Sequence, residues 1–322
     1  MKGIAELVER MLRGDKKALA RLITYVEEGS EATYEILEAV HPHAGRAFIV
    51  GVTGIPGAGK STIVDGLTKI ARERDLRVGI IAADPSSPFT HGALLGDRIR
   101  MQRHFLDEGV FIRSMATRGS RGGLPLAAGA VAKLLDAFGK DLIFLETVGV
   151  GQTELDVMEM ADSVVVVLVP ESGDAIQTMK AGLLEIADIF IINKADRGGA
   201  ETLALQLRES LRLSPARNEW EIPIIITRAA EGKGLEEVFE ALERHRKFLL
   251  NSGEMERRRR ERREFEFSQA LENELRRTLI AKAERDLELS SYLEKVLRGE
   301  VDPHVAAHKI LAGHCLLRGG GG

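Results

Sequence analysis

The chain has very little cysteine, little net charge and no continuous apolar run at its start. Cys315 is the single cysteine among 322 residues, which excludes an internal disulfide framework and suits a reducing compartment, so we expect the cytoplasm. The 45 basic and 49 acidic residues leave a net charge of −4, which provides no global attraction for nucleic acid or an anionic membrane. The opening residues alternate charged and apolar positions, and they predict neither a signal peptide nor a membrane anchor.

The chain does contain enough apolar residues for a substantial core. Its 322 residues are 44% hydrophobic and 29% charged, which accommodates one α/β domain of about 200 residues with appendages. From Arg46 onward, runs rich in Val, Ile and Leu alternate with helical patterns. Most of these runs show no polar alternation, which is typical of strands covered on both faces. The candidate strands are residues 47–53, 77–83, 110–115, 141–146, 163–169, 188–193 and 222–227.

These patterns predict an α/β fold with a doubly wound, mainly parallel sheet and helical extensions at both ends. We expect a helical cap over residues 1–45, the sheet domain over 46–250 and a helical arm over 251–322. Ligands of such sheets bind beyond the carboxyl ends of the strands. The residues that follow each strand are therefore the candidates for function.

Residues 48–62 carry the strongest single signal, because a buried strand opens there into the pattern G-x-x-x-x-G-K-[ST] and then into a helix. Glycines let backbone N–H groups turn toward a polyphosphate, and the new helix points its positive dipole end at the same place. Lys60 supplies a cation for the β and γ phosphates, and Ser61 supplies a hydroxyl that can ligate Mg²⁺. The residues predicted to bind the nucleotide here are Gly54, Pro56, Gly57, Ala58, Gly59, Lys60, Ser61 and Thr62.

Three carboxylates come after strands at suitable places for this loop: Asp84, Asp97 and Glu146. Mg²⁺ prefers oxygen ligands and keeps several waters, so these side chains and Ser61 are the candidate metal ligands. Glu146 begins an E-T-V-G sequence of the D-x-x-G form, and it is the best candidate for the magnesium shell or for orienting the attacking water. The predicted catalytic residues are Lys60, Glu146 and Asp97. The alternative for each carboxylate is a helix cap or a solvated loop position.

An N-K-x-D sequence at residues 193–196 indicates which base is bound. Guanine presents N1–H and N2–H₂ as adjacent donors, and the Asp196 carboxylate can accept from both, whereas adenine would leave that charge unpaired. Asn193 would link this loop to the phosphate loop, and the stem of Lys194 would lie over the purine. The motif predicts GTP rather than ATP, with discrimination of roughly 10⁴-fold or more.

The sequence provides little for rapid hydrolysis. Ras-like enzymes place a glutamine directly after the D-x-x-G glycine, but Val150 stands there and the nearest glutamine is Gln152. We therefore expect slow intrinsic turnover, accelerated when a partner or a loop movement brings positive charge to the γ-phosphate. The candidates for that charge are Arg98, Arg118, Arg121 and Lys180.

Five motifs together resemble one known family, the methylmalonyl-CoA mutase-associated GTPases, which are MeaB/ArgK-type G proteins of the SIMIBI class. The motifs are GVTGIPGAGKST, Asp84-PSSPFT through Gly96-DRIRM, Glu146-TVGVGQTE, the loop 170–180 leading into GLLEIADI, and NKAD. The likeness runs from about residue 12 to residue 250. It implies a P-loop GTPase domain that hydrolyses GTP to GDP and phosphate with Mg²⁺.

The resemblance also implies a partner. Members of this family act as chaperones of adenosylcobalamin-dependent acyl-CoA mutases: they gate cofactor delivery and protect or reactivate the mutase. Adenosylcobalamin would then bind only to the client enzyme. By the same resemblance, residues 84–97 would be switch I, 146–154 switch II and 171–180 a switch III that signals to the client. The switch III candidates are Asp174, Gln177 and Lys180.

Two positions depart from the family pattern. Arg228 stands where the base-binding loop usually has a serine, although the neighbouring Ala229 would still donate its N–H to guanine O6 by resemblance. His91 replaces a glycine of switch I, which would change only how that loop moves.

Beyond about residue 250 the chain becomes strongly charged. The arginine-rich run 257–263 precedes an apolar stripe, as in a long charged helix. The run could bind nucleic acid, but its interleaved glutamates favour a solvated helix face. The stripe predicts a helical arm exchanged in a homodimer, and the family resemblance points the same way. Its residues are Phe265, Phe267, Leu271 and Leu275.

Two other functions stay open: a metal-centre insertion GTPase and an ATP-dependent kinase. His304 and His308 have zinc-compatible spacing, but a metal site needs three or four fixed ligands, and this region runs into a glycine-rich tail past His314 and Cys315. Stoichiometric nickel or zinc in the purified protein would favour metal insertion. Equal competition between ATP and GTP would favour the kinase. We expect neither nucleic-acid nor membrane binding.

Overall fold

The computed structural model describes residues 2–84, 101–116, 123–147, 149, 158–170, 183–213, 219–283 and 287–313. The chain divides into two compact units, Met1–Glu264 and Phe265–Gly322. The described helices of nine residues or more are α1 (Lys2–Leu12), α2 (Lys16–Glu27), α3 (Ala32–Val40), α4 (Lys60–Glu73), α5 (Gly123–Ala137), α6 (Ala200–Leu213), α7 (Leu235–Ser252), α8 (Glu254–Ala283), α9 (Leu287–Leu297) and α10 (Pro303–Gly313).

A parallel sheet forms the centre of the first unit. Its strands are β1 (Phe48–Gly54), β2 (Val78–Asp84), β3 (Val110–Ala116), β4 (Leu142–Glu146), β5 (Ser163–Leu168), β6 (Ile189–Ile192) and β7 (Ile224–Ile226). They pair in the order β3-β2-β4-β1-β5-β6-β7, and every pairing is parallel. The α/β class and the strand positions are therefore confirmed.

Helices cover the two faces of this sheet. On one face, α4 and α7 share a core with the central strands, in which Val50, Phe144, Leu67 and Val238 are fully buried. On the other face α5 packs so closely that a Cβ on Gly79 would lie 3.0 Å from Leu135 Cδ1. The apolar runs of the sequence form strands because both of their faces lose water.

The chain order places one functional edge at the middle of the sheet. From β1 the chain moves outward to β2 and β3, returns to β4 beside β1, and then crosses to β5, β6 and β7. The connections that leave the neighbouring strands β1 and β4 therefore run in opposite directions, and ligands of such sheets bind at the carboxyl ends of the strands at this point. We call this the carboxyl edge, and the opposite one, where the strands begin, the amino edge.

The amino edge contains two buried carboxylates that bind arginines of α8. Asp162, which precedes β5, accepts from Arg259 Nη2 at 3.0 Å and Arg262 Nη2 at 2.6 Å. Asp188, which precedes β6, accepts from Arg258 Nη1 and Nη2 at 2.8 Å each. We call these five residues the arginine clamp. Burial alone would raise the pKa of Asp162, but Arg262 and Arg259 together hold it below its usual value.

The clamp corrects one expectation from the sequence. A wholly solvated face for the arginine run was wrong, because three of its arginines reach buried aspartates 70 to 100 residues away in the chain. The other three arginines of the run, Arg257, Arg260 and Arg263, are exposed and pair with glutamates of the same helix. One helix segment therefore presents a buried and a solvated basic face.

His245 of α7 lies beside the clamp and is fully buried. Its Nδ1 is 2.9 Å from Ser163 Oγ, and its ring centroid is 4.7 Å from that of Trp220. Asp188 Oδ1 lies 3.4 Å from His245 Nε2. Burial lowers the pKa of His245 to about 4, with Arg258 contributing in the same direction and Asp188 opposing both. His245 is therefore neutral in the folded protein near neutral pH.

The second unit contains the rest of α8 together with α9 and α10. Three large apolar side chains of α8, namely Phe267, Leu271 and Leu275, are 69%, 49% and 54% exposed. None of the helices that the structure describes is long and apolar enough to cross a lipid bilayer.

Candidate functional site

The phosphate loop lies at the carboxyl edge between β1 and α4, and close neighbours require glycine at two of its positions. Gly54 has φ +145°, and a Cβ there would collide with the Val167 carbonyl of β5. Gly59 has φ +94°, and a Cβ there would collide with Asn193 Nδ2. The second approach brings the phosphate loop directly against the N-K-x-D loop.

Lys60 and Ser61 open α4 and are buried. Lys60 Nζ donates to Gly54 O at 2.9 Å and Ile55 O at 3.2 Å, so the ammonium group lies inside the curve of the loop. The Ser61 hydroxyl donates to Glu146 Oε1 at 2.6 Å. This contact follows from the sheet register, in which Glu146 pairs with Val52 of β1 and Ala82 of β2.

The donors at this point suit magnesium. A serine hydroxyl and a carboxylate are hard oxygen ligands, which Mg²⁺ prefers. Asp84 ends β2 two residues beyond Ala82, which pairs with Glu146, so its backbone lies at the same edge. The two side chains in contact and the position of Asp84 therefore form a donor set that fits the ion.

Asn193 connects three loops of the carboxyl edge. Its Nδ2 donates to Ala58 O at 2.8 Å, which links the base motif to the phosphate loop. Its Oδ1 accepts from Thr227 Oγ1 and from the Ala229 N–H, each at 3.0 Å. All four residues are buried. A side chain 135 positions from the phosphate loop in sequence thus fixes its geometry.

Two details of this network differ from the sequence reading. Thr227 was not among the predicted site residues, although a lone polar residue at the end of an apolar strand was the available signal. The Ala229 N–H, predicted to bind guanine O6, donates to Asn193 Oδ1 in this structure. Ala229 therefore helps to orient Asn193, and its contact with the base stays a prediction.

Lys194 and Asp196 follow at the surface of the same loop. Lys194 has a left-handed backbone with φ +59°, which is unusual for a residue other than glycine and is typical of functional loops. Asp196 is exposed in the helical turn Ala195–Arg197. The loop is anchored by the Ala195 N–H, which donates to Thr227 O at 3.2 Å. The backbone of this loop thus presents the Asp196 carboxylate to solvent.

The backbone polar groups of Arg228 pair with Lys233 of the same loop. It forms an antiparallel bridge with Lys233, in which Arg228 N donates to Lys233 O at 3.1 Å. Its guanidinium lies 4.0 Å from Glu231. The substitution of arginine for serine is therefore accommodated by a local turn.

Several residues that the sequence predicts for the site lie outside the described residues. Among the site predictions these are Asp97, Asp174, Gln177 and Lys180, and among the others they are His91, Arg98, Arg118, Arg121, Val150 and Gln152. Asp84 has a described backbone but no described side chain. The described part of the site therefore joins the phosphate loop to Glu146 on one side and to Asn193 on the other.

Comparison with known proteins identifies relatives along most of the chain. Residues 19–284 match the profile of the family described as Methylmalonyl Co-A mutase-associated GTPase MeaB. A putative GTPase from Pyrococcus abyssi is 50% identical over 311 residues, which cover 96% of each chain. GTPase ArgK from Escherichia coli is 34% identical over 266 residues, 80% of each chain. A crystal structure of an LAO/AO transport system kinase has a TM-score of 0.70 at 27% identity, over 96% of this chain and 97% of that one.

Proposed function

The chain belongs to the methylmalonyl-CoA mutase-associated GTPase family and is a GTPase, and on that premise we propose that it is a chaperone of an adenosylcobalamin-dependent acyl-CoA mutase. In this role it gates delivery of the cofactor to the mutase and protects or reactivates the enzyme while it hydrolyses GTP. The family description supports the association with methylmalonyl-CoA mutase. The observation that carries the nucleotide chemistry is the linkage of Glu146, the phosphate loop and Asn193 in one hydrogen-bonded site.

The proposed site binds GTP through three separate contacts. Backbone N–H groups of the phosphate loop and the amino end of α4 receive the phosphates. The Lys60 ammonium exchanges its bonds with the Gly54 and Ile55 carbonyls for bonds with the β and γ phosphates. Asp196 accepts the two guanine donors, while Asn193 keeps the base loop against Ala58. The base and the phosphates are thus recognised by loops that are already joined.

Mg²⁺ would be held by Ser61 and by the carboxylates of Glu146, Asp84 and Asp97. When bound, it neutralises charge that develops on the phosphate oxygens. The chain's own contribution is positional, since Ser61 and Glu146 are buried and already in contact at 2.6 Å.

The exposed apolar residues of α8 support the proposal of a homodimeric arm, which acts with the GTPase domain in the cytoplasm. Phe267, Leu271 and Leu275 recur at helical spacing and are about half exposed or more. Pairing with the same surface of a second copy would remove them from water. Light scattering of the full chain and of Leu271→Glu tests this: the variant should lose the dimeric mass.

The proposed function is tested with a purified methylmalonyl-type mutase and two lysine variants of α4. The mutase should bind the protein and raise its rate of GTP hydrolysis, and Lys69→Ala should behave like the unaltered protein because Lys69 is exposed and pairs with Glu73. Lys60→Ala should lower hydrolysis by about 100-fold or more through lost phosphate stabilisation. A mutase that neither binds nor changes the rate would refute the chaperone role.

A further inference from the structure

Two buried threonine hydroxyls bind the carbonyl of Gly149, the glycine of the E-T-V-G motif. Thr53 is the penultimate residue of β1, and its Oγ1 donates to Gly149 O at 3.0 Å. Thr147 directly follows Glu146, and its Oγ1 lies 3.0 Å from Thr53 Oγ1 and 3.1 Å from Gly149 O. The exposed fractions of these two residues are 0% and 1%, so water does not compete for these bonds. We call Thr53 and Thr147 the threonine pair.

The threonine pair fixes Gly149 beside the phosphate loop. A Cβ on Gly149 would lie 3.6 Å from Pro56 Cγ, which is ordinary van der Waals contact. The Thr147 N–H donates to Val52 O at 3.1 Å and so extends the pairing of β1 with β4 by one residue. The residue after Glu146 is therefore anchored through its backbone, and Gly149 is anchored through its carbonyl.

Core packing alone does not account for these hydroxyls. Valine has nearly the same shape as threonine, and β1 already uses it at Val50 and Val52. Burying a hydroxyl carries a desolvation cost that valine avoids, and a hydrogen bond offsets that cost without a large net gain. What the hydroxyls add is direction, because they hold one carbonyl in one orientation.

We propose that the threonine pair positions Gly149 for the third phosphate and thereby contributes to the affinity of this GTPase for GTP but not for GDP. GTPases distinguish the two nucleotides through loops that contact the γ-phosphate, and GDP ends one phosphate short of them. A Gly149 already held against Pro56 needs no reorganisation when GTP binds. The proposal rests on the nucleotide site described above, and it assigns Thr53 and Thr147 as positioning residues.

The test compares Thr53→Val and Thr147→Val in equilibrium binding of GDP and of a non-hydrolysable GTP analogue. Each variant should weaken the analogue by about tenfold, the effect of one misplaced hydrogen-bonding group, and change GDP affinity by less than about twofold. Both hydroxyls act on one carbonyl, so the double variant should lose clearly less than the product of the two single losses. Thr53→Ser and Thr147→Ser keep the hydroxyls and should bind the GTP analogue with nearly the affinity of the unaltered protein.

Thr68→Val provides the matched control. Thr68 is also fully buried, but its hydroxyl donates to Val64 O at 2.7 Å within α4. This variant should leave the ratio of the two affinities unchanged. Helical content by circular dichroism verifies folding, and if Thr53→Val fails to fold, Thr147→Val together with the two serine variants decides the question.

The proposal is overturned if the valine variants weaken GDP and the GTP analogue equally, because the threonines would then support only the phosphate loop. It is also overturned if neither affinity changes, or if the analogue binds more tightly. Lys60→Ala separates this failure from failure of the nucleotide site. If Lys60→Ala still binds both nucleotides normally, the site itself is wrong, whereas loss of both with unchanged valine variants rejects the threonine pair alone.

Discussion

The two edges of one sheet treat buried polar groups in different ways. At the amino edge, the carboxylates of Asp162 and Asp188 meet guanidinium groups at 2.6 to 3.0 Å. At the carboxyl edge, the described bonds join charged or amide side chains to neutral groups: Lys60 to two carbonyls, Glu146 to a hydroxyl and Asn193 to a carbonyl. The ion pairs of the amino edge neutralise charge within the chain, and the bonds named at the carboxyl edge orient groups that a charged ligand can bind.

This difference separates stability from function within a single sheet. A buried ion pair leaves a large penalty when one partner is removed, because the other charge remains without compensation. The bonds of Lys60 with two carbonyls and of Glu146 with a hydroxyl can be exchanged for phosphate and metal at a smaller cost. Changes at the amino edge should therefore alter the free energy of unfolding, and changes at the carboxyl edge should alter nucleotide binding.

The largest effect is expected from Asp196→Ala at the carboxyl edge. Without the carboxylate, guanine loses its specific acceptor, and the ratio of GTP to ATP affinity should fall by about 10⁴-fold. Asp196 is exposed, so the thermal unfolding midpoint should stay within a few degrees. Competition of both nucleotides for a fluorescent GDP analogue measures the ratio. If ATP and GTP already compete equally in the unaltered protein, Asp196 does not select the base.

A smaller effect, on stability, is expected from Asp162→Ala at the amino edge. Removing this fully buried carboxylate leaves Arg259 and Arg262 without the negative charge that they share, which should lower the free energy of unfolding by about 3–5 kcal/mol. Arg260→Ala is the control from the solvated face of the same helix and should cost less than about 0.5 kcal/mol. Urea unfolding gives both values. Strong loss of GDP affinity in the folded Asp162→Ala protein would contradict the inference that the amino edge affects stability and not nucleotide binding.

The smallest effect is expected from His245 at the amino edge, which should make the free energy of unfolding depend on pH. The pKa of His245 in the folded protein is about 4, below the ordinary value of 6.5, so folding excludes a proton that the unfolded chain binds. Its contribution to stability is complete above the ordinary pKa and is lost as the pH falls from there toward the folded pKa, by about 2 kcal/mol between pH 7 and pH 5. His245→Asn can keep the contact with Ser163 without titrating. Unfolding of both proteins at several pH values should show this slope only with histidine present.

Much of the fold could be predicted because its signals are local. Phe48-Ile-Val and Ile189-Phe-Ile-Ile are apolar without alternation, and the structure buries them as central strands. The phosphate loop could be located for the same reason, since its glycines, Lys60 and Ser61 are adjacent in sequence. The resemblance to one family rests on the order in which these motifs occur along the chain, and the comparisons confirm the family.

Contacts between distant segments could not be predicted in the same way. Nothing near Arg258, Arg259 or Arg262 in sequence shows that these arginines bind Asp162 and Asp188, the residues that precede β5 and β6. The hydroxyls of Thr227 and Thr53 were missed for the same reason, because their partners become neighbours only through strand register. The pairing of strands in the sheet determines these contacts, and this pairing cannot be deduced from a single sequence.

The position of Arg259 has a practical consequence for shortened versions of this protein. Its guanidinium donates to the Gly45 and Ala47 carbonyls, while the Asp136 carboxylate accepts the N–H groups of residues 45–47. A stop codon at position 250 would delete the three arginines of the clamp and leave the buried carboxylates of Asp162 and Asp188 without their ion pairs. The smallest gene fragment that encodes a sound catalytic module must therefore extend past Arg262.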